Sequence, residues 1–195
     1  MKKILIGTGN KAKVAQYKEL LKEFNLEIVT AKELNIPAPS EDQDDMEKEA
    51  ILKAKYYAEK SGLPAIVDDG GCEIETLNGK PGLKSHRFVG HEMSDEEVIT
   101  EIFKMMEGKT NRKAQHRIVM ALATPFGVFT SHSEVVGVIP EKPTAKRWPG
   151  YPYNSILYFP NYKQFWGESL DESDLLNHRA HAIEKLKDII KQLES

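Results

Sequence analysis

Hydrophobic and polar positions switch period several times along this chain, and each switch marks an element. Lys2 to Ile6 is a short apolar run that predicts a strand. Beyond Gly7-Thr8-Gly9-Asn10-Lys11-Ala12-Lys13, the residues Val14, Tyr17, Leu20, Leu21 and Phe24 recur at helical spacing. Leu26 to Val29 predicts a second strand. Ala50, Ala54, Tyr57 and Ala58 share one face of a helix expected from about Met46 to Ser61, which Gly62 ends and Pro64 follows. Ala65-Ile66-Val67 reads as a buried strand that delivers Asp68-Asp69 to a turn at Gly70-Gly71, after which Glu73 to Leu77 continues as strand.

Asn78-Gly79 is a tight-turn signal, and Lys80 to Phe88 is a basic loop. Ser94 and Glu97 form a capping box opening a helix from about Asp95 to Met106, with Gly108 after it. Gln115 to Ala123 and Val128 to Ile139 predict two longer strands, joined as a hairpin by Thr124-Pro125-Phe126-Gly127. Glu141 to Pro152 holds three prolines and Gly150, a loop closed by Tyr151-Pro152-Tyr153-Asn154. Ile156 to Phe159 predicts a short strand. A last helix spans about Ser173 to Leu193, with Ile183, Leu186, Ile189, Ile190 and Leu193 as its buried stripe.

The chain's 195 residues suffice for one domain or two closely packed lobes burying about 70% of the unfolded surface. A net charge of −3 implies no general attraction to nucleic acid or an anionic membrane. No apolar run reaches the length of a membrane span, and Met1-Lys2-Lys3 precedes only three apolar residues, too few for a signal peptide. Cys72 is the single cysteine, which excludes a disulfide framework and reads as a small buried residue. A cytoplasmic location fits these features.

Three stretches carry candidate chemistry. Side chains adjacent on a strand face opposite ways, so Asp68 and Asp69 are expected to differ in role, one being the working acid. The strand, Gly7-to-Lys13 turn and helix make a natural phosphate site, since open backbone amides gather at a helix N-terminus. Lys11 and Lys13 in that first turn oppose the helix dipole, which suggests an anion opposite them. The loop Pro37 to Asp45 is rich in carboxylates. Asp44 or Asp45 could cap the following helix, while one acid, with Glu41 the leading candidate, could help hold a divalent cation. His178 and His181 lie three apart without an evident third metal ligand.

Taken together, three stretches resemble the Ham1 family of inosine triphosphate pyrophosphatases. They are Thr8-Gly9-Asn10 with Lys13; Ala50 to Ala54, Leu63 to Asp69 and Leu77 to Gly82; and His178-Arg179-Ala180. Order, spacing and length match over nearly the whole chain. The resemblance implies an elongated α/β protein with a mixed twisted sheet flanked by helices and a cleft between two lobes, residues 1–195 forming one catalytic domain. It implies a homodimer that hydrolyses hypoxanthine and xanthine nucleoside triphosphates (ITP, dITP, XTP) between the α and β phosphates. It also implies dependence on Mg²⁺, with Mn²⁺ as a substitute.

By the same resemblance Asp69 is the catalytic acid and a metal ligand, with Glu41 as the second ligand. Thr8, Gly9, Asn10 and Lys13 bind phosphate, and Gly70 lets the backbone approach the nucleotide. Tyr151, Tyr153, Asn154, His178 and Arg179 contact the base, Arg179 donating to a purine carbonyl, while Asp68 supports the turn. The departures cluster at the base. The family's Phe-Gly-Tyr/Trp-Asp is here Tyr151-Pro152-Tyr153-Asn154, and a lysine before the His-Arg pair is Ser173. The family's Ser before His178 is Asn177, its Ser after the paired aspartates is Gly70, and its Asn in the second helix is Glu49.

Overall fold

A computed structural model describes residues 1–41, 43–168 and 177–194. Ser173 and the expected start of the last helix lie outside the described residues. The elements are β1 (Lys2–Ile6), α1 (Lys11–Leu20), β2 (Leu26–Thr30), α2 (Met46–Ser61), β3 (Ala65–Ile74) and β4 (Pro81–Gly82). There follow α3 (Asp95–Met105), β5 (Lys113–Thr124), β6 (Gly127–Val138), β7 (Tyr158–Phe159), β8 (Gln164–Phe165) and α4 (His178–Gln192). The sheet is mixed, with strand order β2-β1-β3-β5-β6-β7-β8 and β4 paired to β3. The fold is α/β, a mixed twisted sheet flanked by helices. Among the described residues no helix is long and apolar enough to cross a membrane.

The chain forms two compact units. The first comprises 1–69, 118–133 and 179–195; the second comprises 70–117 and 134–178. In the first unit β1 runs parallel to β2, Lys2 opposite Leu26, and parallel to β3, Leu5 opposite Ala65. Ile4, Ile6 and Ile66 from these strands pack with Tyr17 and Leu21 of the α1 segment and Ile183, Leu186 and Ile190 of α4. Because β1 and β3 are parallel, the turn after β1 and Asp68-Asp69 both follow the last β1–β3 pair, Ile6 opposite Ile66, at the carboxyl end of that pairing. Open α/β sheets bind ligands at that carboxyl end.

α2 starts and stops for local reasons. Asp45 accepts from the Lys48 N–H at 2.9 Å, and Gly62 closes the helix at φ 67°. Its buried face carries Met46, Glu49, Ala50, Ala54 and Tyr57.

In the second unit, α3 opens on the expected capping box of Ser94 and Glu97. Its Val98, Ile99 and Ile102 pack with Cys72, Ile74, Ile139, Tyr153, Leu157 and Trp166. Three expectations fail here. Gly70-Gly71 is no turn, because β3 runs unbroken from Ala65 to Ile74. Gly71 serves a close approach instead: a Cβ there would lie 1.8 Å from the Gly82 carbonyl oxygen of β4. Glu75–Leu77 is a 3₁₀ turn rather than strand, ended by Asn78 at φ 53° and Gly79 at φ 78°. The strand expected over Ile156 to Phe159 shrinks to Tyr158–Phe159, since Pro152–Ser155 is a 3₁₀ turn capped by Ile156.

Candidate active site

Asp68 and Asp69 separate as strand alternation requires. The Asp68 side chain is fully buried; its Oδ2 accepts from Lys13 Nζ at 2.9 Å and Arg179 Nη2 at 2.9 Å. Its Oδ1 accepts from Tyr17 Oη at 2.8 Å and Arg179 Nε at 3.2 Å. Burial opposes the charge on Asp68, yet Arg179 and Lys13 outweigh it and hold the carboxyl well below its usual range. So Lys13 already has an anion of the protein's own, Asp68, beside it. Asp68 supports no turn, since β3 runs on past it; it ties β3 to α1 and α4.

Asp69 meets α2. Its Oδ2 accepts from Lys53 Nζ at 2.7 Å, and the same ammonium donates to Glu41 Oε1 at 2.5 Å. A third carboxylate, Glu49, places Oε1 at 3.8 Å from Lys53 Nζ. Glu49 is 1% exposed; its Oε2 accepts from the Gln43 N–H at 3.0 Å, and its Oε1 has no hydrogen-bond partner among the described residues. Burial pushes against the Lys53 charge, but Asp69 and Glu41 prevail and raise its pKa. Sequence reading assigned Lys53 no role. Its signal was a lysine at position 53 of α2, beside the small buried residues Ala50 and Ala54.

The turn after β1 is shaped by its own side chains. Asn10 caps α1, its Oδ1 accepting from the N–H groups of Ala12 at 2.9 Å and Lys13 at 3.3 Å. The Asn10 N–H donates to Thr8 Oγ1 at 3.2 Å, and Gly9 is exposed with open space where a Cβ would stand. Arg179 Nη1 donates to Gln16 Oε1 at 2.7 Å, so Asp68 and Gln16 together fix the guanidinium plane. Thr8, Gly9, Asn10, Lys13, Glu41, Asp69 and Arg179 thus belong to the first unit.

Gly70, Tyr151, Tyr153, Asn154 and His178 belong to the second unit. Tyr153 is buried and its hydroxyl donates to the Ser85 carbonyl at 2.7 Å; burial raises its pKa. His178 is 2% exposed, with its ring 4.8 Å from Trp166 and 5.2 Å from His116. His116 also lies 5.7 Å from Tyr153 and 4.9 Å from Trp166. This knot of two imidazoles, a phenol and an indole was not anticipated, since His116 sits near the start of β5 and Trp166 follows a two-residue strand. Asn154 is buried beside Tyr153, whereas Tyr151 is half-buried. Cys72 is buried and its thiol is pushed up, the inert state expected of it.

Mg²⁺ takes hard oxygen donors, one or two carboxylates completed by water and phosphate oxygens. Glu41 and Asp69 fit that pattern, with Lys53 as their counter-cation. Among the described residues no three or more His, Cys, Asp or Glu side chains stand in ligand geometry.

The Ham1 family model matches residues 4–189. A dITP/XTP pyrophosphatase from Desulfotalea psychrophila is 34% identical over 198 residues, covering 98% of this chain and 88% of that protein. Another from Haemophilus influenzae is 34% identical over 191 residues, covering 95% and 97%. The structure of a HAM1 protein from Coxiella burnetii superposes with a TM-score of 0.84 at 29% identity, covering 98% and 100%. The Staphylococcus aureus Ham1 protein gives 0.81 at 25% identity, covering 98% and 99%. Likeness of this extent, in sequence and in fold, places the chain in the Ham1 family.

Proposed function

We propose that this protein hydrolyses hypoxanthine and xanthine nucleoside triphosphates, ITP, dITP and XTP, to the monophosphate and pyrophosphate. The observation that carries the reading is the convergence of Glu41 and Asp69 on one ammonium at the carboxyl end of parallel strands. The curated relatives act on dITP and XTP by their names. Hydrolysis at phosphorus asks for an activated water, neutralised phosphate charge and in-line positioning.

In this reading Glu41 and Asp69 hold Mg²⁺, which when bound neutralises phosphate charge and acidifies a water. Mn²⁺ replaces it. Asp69 accepts the proton of the attacking water. Thr8, Gly9, Asn10 and Lys13 bind phosphate, and Gly70 gives the nucleotide close access to the backbone. Arg179, held in plane by Asp68 and Gln16, donates to a purine carbonyl, and Tyr151, Tyr153, Asn154 and His178 contact the base. The whole chain works as one catalytic domain, and a homodimer in the cytoplasm completes the proposal.

The test is Asp69→Asn. Pyrophosphate release is expected to fall by about 10²–10⁴-fold, the usual contribution of a positioned proton acceptor, while nucleotide binding changes little. Turnover retained in that variant contradicts the assignment. A second reading, the same hydrolysis on another base, draws on Asn154: an amide both donates and accepts where a carboxylate only accepts.

A further inference from the structure

Glu49 is a buried carboxylate whose Oε1 has no hydrogen-bond partner among the described residues, and it stands where the family places asparagine. Its Oε2 is committed to the Gln43 N–H, while its Oε1 points toward Lys53 Nζ at 3.8 Å, beyond hydrogen-bonding distance. The two residues are i and i+4 on α2 with the acid toward the N-terminus, the orientation in which such pairs close well. Lys53 is instead drawn to Glu41 and Asp69. Three carboxylates therefore share one ammonium.

An ammonium bonded to both Glu41 and Asp69 competes with a divalent ion for the same oxygens. If Lys53 left them for solvent, it would abandon a position in which it is only 11% exposed. A shift of about 1 Å brings Nζ into hydrogen-bonding range of Glu49 Oε1. We propose that Glu49 is the carboxylate that receives Lys53 when Glu41 and Asp69 take up a divalent cation. Glu49 is then a positioning residue: it touches neither substrate nor metal, and it sets how readily the two ligand carboxylates are released. The inference rests on the reading of Glu41 and Asp69 as the cation's ligands.

The test is a double-mutant cycle on cation binding without nucleotide, read from the free Mn²⁺ signal in electron paramagnetic resonance titrations. Wild type, Glu49→Gln, Lys53→Met and the double variant are compared, with Asp69→Asn as the control. Glu49→Gln is expected to weaken Mn²⁺ binding about tenfold when Lys53 is present, and less than about threefold in the Lys53→Met background. If Glu49→Gln does not fold, Glu49→Asp, which withdraws the carboxylate by one methylene, is expected to show the same background-dependent loss. No loss, or an equal loss in both backgrounds, overturns the proposal, the latter because a direct ligand acts whether or not Lys53 is there. Mn²⁺ binding that is abolished by Asp69→Asn and untouched by Glu49→Gln defeats this inference alone. Absence of Mn²⁺ binding by the wild type defeats the cation reading with it.

Discussion

Asp68→Asn removes one negative charge from the centre of the first unit while keeping the side chain's shape. The Asp68 side chain has no exposure and Arg179 has 4%, so the guanidinium would be left buried without its counter-charge. At 2.9 Å and an effective dielectric near 20, each charge pair is worth about 6 kcal/mol before desolvation is counted. Breaking such a buried pair from one side costs about 3–5 kcal/mol. Domains are stable by about 5–15 kcal/mol, so the variant sits near its limit. For a chain of this size the melting temperature is expected to fall by about 6–20 °C.

The pH dependence has a definite sign. Unfolded, the aspartate titrates near 3.9; folded, it is held well below that. Its stabilisation is complete above the unfolded value and is lost as pH falls through it toward the folded one. Urea unfolding followed by circular dichroism at pH 7 and across the acid range checks both expectations. The variant should lose stability at pH 7 and show a shallower acid slope. A loss below about 1 kcal/mol, the level of a surface ion pair, with an unchanged acid slope would refute the hub. A companion, Asp68→Asn with Arg179→Met, should recover part of the loss, because the buried charge leaves with its partner.

Gly71→Ala should destabilise by about 1–3 kcal/mol or more, an overpacking cost, because the clash is with the Gly82 backbone carbonyl rather than a movable side chain. Thermal unfolding reads it, and a neutral result would mean that β4 does not lie against β3 as described. Asn154→Asp restores the acceptor-only group of the family motif. It should raise the ratio of ITP to ATP turnover by roughly the 1–3 kcal/mol that one hydrogen-bond mismatch carries. An unchanged ratio would remove Asn154 from base choice.

Much of the fold could be read locally. The limits of α2 follow from an acid cap, a glycine exit and an apolar face, all within one stretch of sequence. The capping box of α3 and the Asn78-Gly79 turn are equally local. What sequence reading missed depends on partners far along the chain. Gly70-Gly71 looks like a turn, but the glycine at 71 answers to the Gly82 carbonyl. Two lysines at the start of α1 suggest an external anion, and the chain meets Lys13 itself with Asp68, 55 residues away.

The site divides in the same way. Asp69 and Glu41 stand out by residue type, whereas Lys53 becomes visible only when α2 docks and brings it to both acids. Glu49 stands out in the sequence only as a departure from the family's asparagine, and its place on the buried face with Met46 and Ala50 comes from the packing of α2. His116 and Trp166 carry no local signal: His116 is one half-buried position near the start of β5, and Trp166 stands just past the two-residue β8.

The most direct measurement is pyrophosphate release with Mg²⁺ across ITP, dITP, XTP, the four common ribonucleoside triphosphates and their deoxy forms. The expected result is pyrophosphate and monophosphate as products, with ITP, dITP and XTP hydrolysed well ahead of ATP and GTP. Orthophosphate as the product, or turnover of ATP equal to that of ITP, would contradict the account.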